Sequence, residues 1–253
     1  MECPKVALFD LDNTLAEPFR PVSDAIAEAF GRLITTLPIS IMTAASLERI
    51  QVEVLSRLSG DTDFSRLTLF TSNAGQSFAF DVDHWQEQYH FEFTDAQLQQ
   101  IRAAIEEAIR ETNALANTKV YGEQFIDYRG YFAFTALGIG APVAERRAWD
   151  PDFSRRRKLQ ATVARKLPEF DVYIGGSTSI DVTLKGISKA YGIEWLSKRL
   201  NMAPADMLYV GDALYEGGND FVVIKTGVRT KATSGPEETL GIINQLIAAC
   251  AVK

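Results

Sequence analysis

The 253-residue chain is 46% hydrophobic and 23% charged, with a formal net charge of -7. This length supplies one large domain or two modest ones, the composition is globular rather than disordered or fibrous, and the acidic balance argues against a nucleic-acid binder. With two cysteines, Cys3 and Cys250, and two histidines, His84 and His90, neither a disulfide framework nor a Cys- or His-rich metal site is expected.

From the N-terminus, residues 5–10 form an apolar run that ends abruptly in acid at Asp10. The run is too short for a signal peptide or membrane span, so a cytoplasmic protein without membrane contact is expected. Its lack of alternation fits a strand buried on both faces. A helix follows over 23–37, with Ser23 as N-cap and Ile26, Ala29, Phe30, Leu33 and Ile34 on one face. Residues 39–42 predict a second strand, 46–58 a helix and 68–70 a third strand. This alternation points to a parallel α/β sheet, whose functional residues gather at the strands' carboxyl ends.

The pattern then changes. A strand is predicted over 78–82, with Asp81 and Asp83 in a turn, and a helix capped by Thr94 runs to about 113. Strand-like segments follow at 120–121, 125–128 and 131–135, then a helix over 155–167 and strands at 172–174 and 179–182. Hairpins beside two helices suggest an α+β unit with an antiparallel sheet. Helix and strand alternate again from about 185: a helix over 188–200, a strand over 207–210 and a last helix over 236–249. One domain is therefore inserted into another, with 1–78 and 185–253 forming the core and 79–184 the insert.

Two segments carry chemistry. Asp10-Leu11-Asp12-Asn13-Thr14-Leu15 closes the first strand with two carboxylates around one centre; one can attack phosphorus while the other moves a proton. Gly211-Asp212, continuing to Glu216-Gly217-Gly218-Asn219-Asp220, closes another strand and can complete a metal site begun by Asp10, its glycines permitting close backbone approach. Thr43 follows the second strand, where its hydroxyl can meet phosphate oxygens. Lys189 can neutralise Asp10 and a transferring phosphoryl group; Lys185 competes for that role, and spacing does not separate them. The basic run 155–158 reads as a solvated helix face, and Trp85, Trp149 and Trp195 as packing residues.

These motifs, in this order, resemble those of the haloacid dehalogenase superfamily. The resemblance implies a Rossmann-like parallel-sheet core with an inserted α+β cap of the large C2 class. It also implies Asp10 as nucleophile, Asp12 as acid/base, Thr43 as a phosphate contact and Lys189 as charge stabiliser. Mg2+ would be held by Asp10, the Asp12 carbonyl and Asp212, with Asp220 supporting the lysine and the metal shell. Within the class the chain is most similar to eukaryotic-type phosphomannomutases, through residues 125–129, 175–182 and 211–220. That likeness implies substrate contacts at Arg129, Ser179 and Asp181, with Arg20 near a further arginine position and Asn219 beside the last motif. It also suggests a cap-mediated homodimer.

The chain departs from that family at 137–141, Leu-Gly-Ile-Gly-Ala, where a second cap arginine is absent, and at Thr43-Ala44-Ala45-Ser46, which is nearer ordinary phosphatases. A mutase must rebind a bisphosphate reversed, and losing a guanidinium weakens the distal phosphate site. The sequence thus predicts a Mg2+-dependent phosphatase acting on a phosphorylated metabolite such as a sugar phosphate. A phosphosugar mutase is the first alternative and a non-catalytic phosphate-binding module the second.

Overall fold

In the computed structural model, which describes residues 2–216 and 218–251, the short apolar runs become the interior of one sheet. Its strands are β1 (Val6–Phe9), β2 (Ile39–Met42), β3 (Leu67–Thr71), β4 (Gln76–Asp81), β5 (His84–His90), β10 (Met207–Gly211) and β11 (Arg229–Ala232). They lie in the order β11-β10-β1-β2-β3-β4-β5. The five from β11 to β3 are mutually parallel, while β4 and β5 run antiparallel. Nearly every residue of β1, β2, β3 and β10 is buried because both faces are covered. One face packs Phe9, Ile41 and Val210 against α1 (Asp24–Thr36) and α7 (Pro236–Cys250), through Phe30, Leu33, Ile243 and Leu246. The other packs Leu8, Phe70 and Tyr209 against Ile193 and Leu196 of α6 (Lys189–Leu200).

A second unit, spanning 91–187 with 217–219, contains the antiparallel sheet β6-β7-β9-β8. Its strands are β6 (Phe125–Asp127), β7 (Tyr131–Thr135), β8 (Phe170–Ile174) and β9 (Ser179–Leu184), with helices α3 (Asp95–Thr112), α4 (Val143–Trp149) and α5 (Ser154–Lys166). Phe132, Phe134, Ile180 and Val182 meet Ile105, Leu159 and Val163 in its apolar core. Alternation along the strands turns Tyr131, Ala133, Thr135, Asp181 and Thr183 to the opposite face, and all five are buried.

The expected α/β core with an α+β insert is therefore present, with four differences in detail. The insert starts at 91 and ends at 187, not at 79 and 184, because β4 and β5 extend the core sheet. The helix expected over 46–58 is α2 (Leu47–Glu53); it breaks at Val54, whose φ of -121° leaves the helical range, and a short 3-10 turn follows. Residues 120–121 form no strand and lie in a loop, where the Tyr121 N–H donates to the Leu137 carbonyl. The basic run 155–158 is not uniformly solvated. Arg156 is buried, with Nε donating to Asp150 at 2.9 Å.

The two cysteines, unpromising as a framework, are joined: Cys3 and Cys250 form a disulfide across 247 positions. Proximity came from topology, since Cys3 precedes β1 and Cys250 ends α7, which packs over the same sheet. Among the described residues, no helix is long and apolar enough to cross a membrane.

Candidate active site

Parallel neighbours deliver their carboxyl ends to one place. β10 pairs with β1 so that Val210 stands beside Phe9, and the Asp10 N–H donates to the Val210 carbonyl at 2.9 Å. Asp10 and Asp212 therefore follow adjacent strand ends. One carboxylate oxygen from each of Asp10, Asp212 and Asp220 lies within 4.8 Å of the others. Thr43 follows β2 on the other side of β1 and is buried; its hydroxyl accepts from the Ala45 N–H at 3.1 Å.

The turn after Asp10 is built by its own sequence. Asn13 has φ 60°, a left-handed conformation that asparagine tolerates better than most residues. Its N–H closes onto the Ala16 carbonyl at 2.7 Å.

Lys189, first residue of α6, joins the strand ends. It is 1% exposed, and its ammonium donates to Asp10 Oδ1 at 2.5 Å, Asp220 Oδ1 at 2.6 Å and the Tyr209 hydroxyl at 3.1 Å. All three N–H bonds are used. The Tyr209 hydroxyl donates in turn to Asp220 Oδ1 at 2.6 Å, and the Ala213 N–H donates to Asp220 Oδ2 at 3.2 Å. Gly211 makes room for this carboxylate, since a Cβ there would fall 2.3 Å from Asp220 Oδ2. Lys185 is elsewhere, paired with Asp171 at 3.1 Å in the second unit.

The electrostatics of the cluster are unbalanced. Three carboxyl groups, two buried and one half-buried, gather near one ammonium, which pairs with Asp10 and Asp220. Burial pushes the Asp10 carboxyl well above its ordinary value, against the pull of the Lys189 ammonium, and Asp220 and Asp212 push it further. Burial, then the Asp220 charge, raise Asp212 to about 6. Burial alone would lower Lys189, but Asp10 and Asp220 outweigh it and hold the ammonium charged. An all-oxygen donor set with more carboxyl groups than cations suits a hard divalent cation.

Asp12 stands apart from this cluster. Both its oxygens accept from the guanidinium of Arg49 on α2, at 3.2 and 2.8 Å. Arg49 was not singled out in the sequence; the available signal was Glu53 four positions on, the spacing of a helical ion pair. Arg20 is exposed in the turn after β1, and among the described residues no hydrogen bond ties it to the carboxylates. Asn219 lies half-buried in the turn before Asp220, and Gly217 of the same motif is outside the described residues.

The remaining expected residues lie in the second unit. Arg129 is exposed at the β6–β7 turn, its N–H donating to Asp127 Oδ1 at 2.9 Å. Ser179 opens β9, half-buried. Asp181 is 2% exposed, with its Oδ1 lacking a hydrogen-bond partner. Burial raises its carboxyl to about 7, against a hydrogen bond from Tyr131 and the Arg156 charge. A Cβ at position 175 would lie 2.3 Å from Asp181 Oδ2, so Gly175 is required beside it.

This parallel core, ending in paired aspartates beside a buried lysine, has the architecture of the haloacid dehalogenase superfamily. The chain belongs to the eukaryotic phosphomannomutase family, whose model matches residues 99–249, more than half of the chain. Among relatives, a phosphomannomutase of Arabidopsis thaliana is 23% identical over 229 residues, covering 87% of each chain. Among solved structures, an IMP-nucleotidase of Plasmodium falciparum with bound IMP shares the fold, with a TM-score of 0.71 at 17% identity, over 97% of this chain and 68% of that one. A haloacid dehalogenase-like hydrolase of Bacteroides thetaiotaomicron gives a TM-score of 0.62 at 11% identity, over 96% and 99%. The family match supports phosphoryl transfer on a phosphorylated metabolite.

Proposed function

We propose that the protein is a Mg2+-dependent phosphatase of a phosphorylated small metabolite, a sugar phosphate being the best fit, working through an aspartyl phosphate on Asp10. The observation that carries the reading is the buried Asp10–Lys189–Asp220 constellation at the strand ends. A carboxylate there is held by one ammonium and is otherwise short of positive charge, the condition under which an anionic phosphate and a cation bind together.

Asp10, the Asp12 carbonyl and Asp212 would hold Mg2+, with Asp220 orienting Lys189 beside it. Bound there, the cation offsets the charges of nucleophile and phosphate, which otherwise repel. In the first step an Asp10 oxygen bonds to phosphorus, the ester P–O bond breaks and Asp12 gives its proton to the leaving oxygen. In the second, a water oxygen bonds to phosphorus, its proton passes to Asp12 and the Asp10–phosphorus bond breaks. Lys189 favours the ionised form of Asp10 and carries part of the transferring charge. Thr43 would donate to a phosphate oxygen, while Arg20, Arg129, Ser179, Asp181 and Asn219 would contact the rest of the substrate.

The family match favours a second reading, in which a bound sugar phosphate replaces water as the acceptor. Hydrolysis is preferred because Ala141 follows the Gly138-Ile139-Gly140 stretch after which that family carries a distal arginine, and its methyl side chain offers no hydrogen bond to a second phosphate. Incubating hexose 1- and 6-phosphates with Mg2+, with and without a hexose bisphosphate, separates the two. Free phosphate supports the phosphatase; interconversion of the monophosphates without net release supports the mutase. Inertness of wild type toward a broad set of phosphorylated metabolites would favour a non-catalytic module.

A further inference from the structure

In the reading above, Asp12 must present its proton in one direction, yet its side chain is 29% exposed in a turn. A short, half-exposed carboxylate left to itself samples several rotamers. Arg49 removes that freedom. Its Nη1 and Nη2 donate to the two Asp12 oxygens at 3.2 and 2.8 Å, fixing the plane of the carboxylate as well as its position. The guanidinium is held in turn. Nε and Nη2 donate to the two Glu53 oxygens, both at 2.8 Å, and the cation lies 4.4 Å from the centre of the Phe19 ring.

We infer that Arg49, anchored by Glu53, is a positioning residue that aims Asp12 at the leaving oxygen. The inference rests on the phosphoryl-transfer reading and adds a residue to it. A carboxylate has about four lone-pair sites. Arg49 occupies one on each oxygen, which leaves the other pair free to hold the proton that moves. The arrangement repeats the logic of a proton-transfer group oriented by a third residue behind it. Arg49 itself gives up no proton and forms no bond to the substrate.

A purely structural role, pinning α2 to the β1 turn, makes a different prediction, and leaving-group dependence separates them. Single-turnover formation of the phosphoenzyme is followed with Mg2+ from 4-nitrophenyl phosphate, whose leaving group departs unprotonated, and from phenyl phosphate, whose leaving group needs the proton. Arg49→Gln lowers the phenyl rate on the order of 10²-fold, the scale of acid catalysis, and the nitrophenyl rate far less. Arg49→Lys recovers only part of the loss, because an ammonium cannot fork onto two oxygens. Glu53→Gln, a milder change that serves if Arg49→Gln does not fold, shifts the same ratio the same way by a smaller factor. Equal losses with both esters, or no loss, would overturn the inference. Asp10→Asn tests the underlying reading separately: activity surviving in that variant, or a wild type inert toward both esters, removes the phosphatase reading whatever Arg49 does.

Discussion

The Lys189 ammonium stands 2.5 Å from Oδ1 of Asp10, although 179 positions separate the two residues. Residues 91–187 of the second unit lie between them in the chain, so the contact exists only when the chain returns to the core correctly. It joins assembly of the fold to assembly of the site.

Lys189→Met removes the ammonium that pairs with the buried carboxylates of Asp10 and Asp220. Breaking a buried ion pair from one side costs about 3–5 kcal/mol, and losing a charge aimed at the transferring group costs about 10²–10³-fold in kcat. Urea unfolding in the presence of chelator should show the stability loss, and added Mg2+ should restore part of it. Equal stability of variant and wild type without metal would contradict the charge balance described here.

Asp181 gives a pH signature in the second unit. Its carboxyl titrates at about 7 when folded, above its ordinary value. From about pH 4 upward the unfolded chain loses this proton while the folded protein keeps it. Folding is therefore penalised progressively as pH rises, and the full penalty stands above pH 7. Asp181→Asn should raise the thermal midpoint at pH 8, with the gain fading to nothing near pH 4. A gain of the same size at both pH values would show that burial of the charge is not its cause.

Gly211→Ala tests the close approach of Asp220. The new Cβ would fall 2.3 Å from Asp220 Oδ2 and 2.8 Å from a Tyr209 ring carbon. Asp220 cannot yield freely, since Lys189, Tyr209 and the Ala213 N–H all hold it. Overpacking of this kind costs about 1–3 kcal/mol. Activity should fall together with the urea midpoint, whereas wild-type turnover would count against this packing.

Much of this architecture was legible in the sequence, for physical reasons. Strands buried on both faces announce themselves as unbroken apolar runs, as at Val6 and Met207, and Ser23 and Thr94 mark helix starts by the caps they form. Asp10 and Asp212 were readable because each follows a strand end, whereas only the family resemblance favoured Lys189 over Lys185, which the structure pairs with Asp171 instead. What sequence did not carry was tertiary pairing. β5 is too polar and exposed to read as part of a core sheet, β11 is a largely exposed edge strand, and α4 buries none of its side chains. Arg49 looked like an ordinary helical arginine because its partner Asp12 lies 37 positions away.

The Cys3–Cys250 bond belongs to the same category, since nothing local predicts it. Closing a loop of this length restricts the unfolded chain, worth about 5 kcal/mol in the chain-entropy treatment. Such bonds persist in oxidising surroundings, whereas cytoplasmic thiols are held reduced. Reduction, or Cys250→Ser, should lower the urea midpoint without changing the initial rate of catalysis under native conditions. Identical midpoints for oxidised and reduced protein would mean that the link does not contribute.

The most direct measurement is acid-quench trapping of the enzyme during turnover with Mg2+ and a phosphate ester, followed by peptide mass spectrometry. A phosphoryl group on Asp10, absent from Asp10→Asn, is the predicted result. Phosphorylation at another residue, or turnover undiminished in Asp10→Asn, would contradict the account.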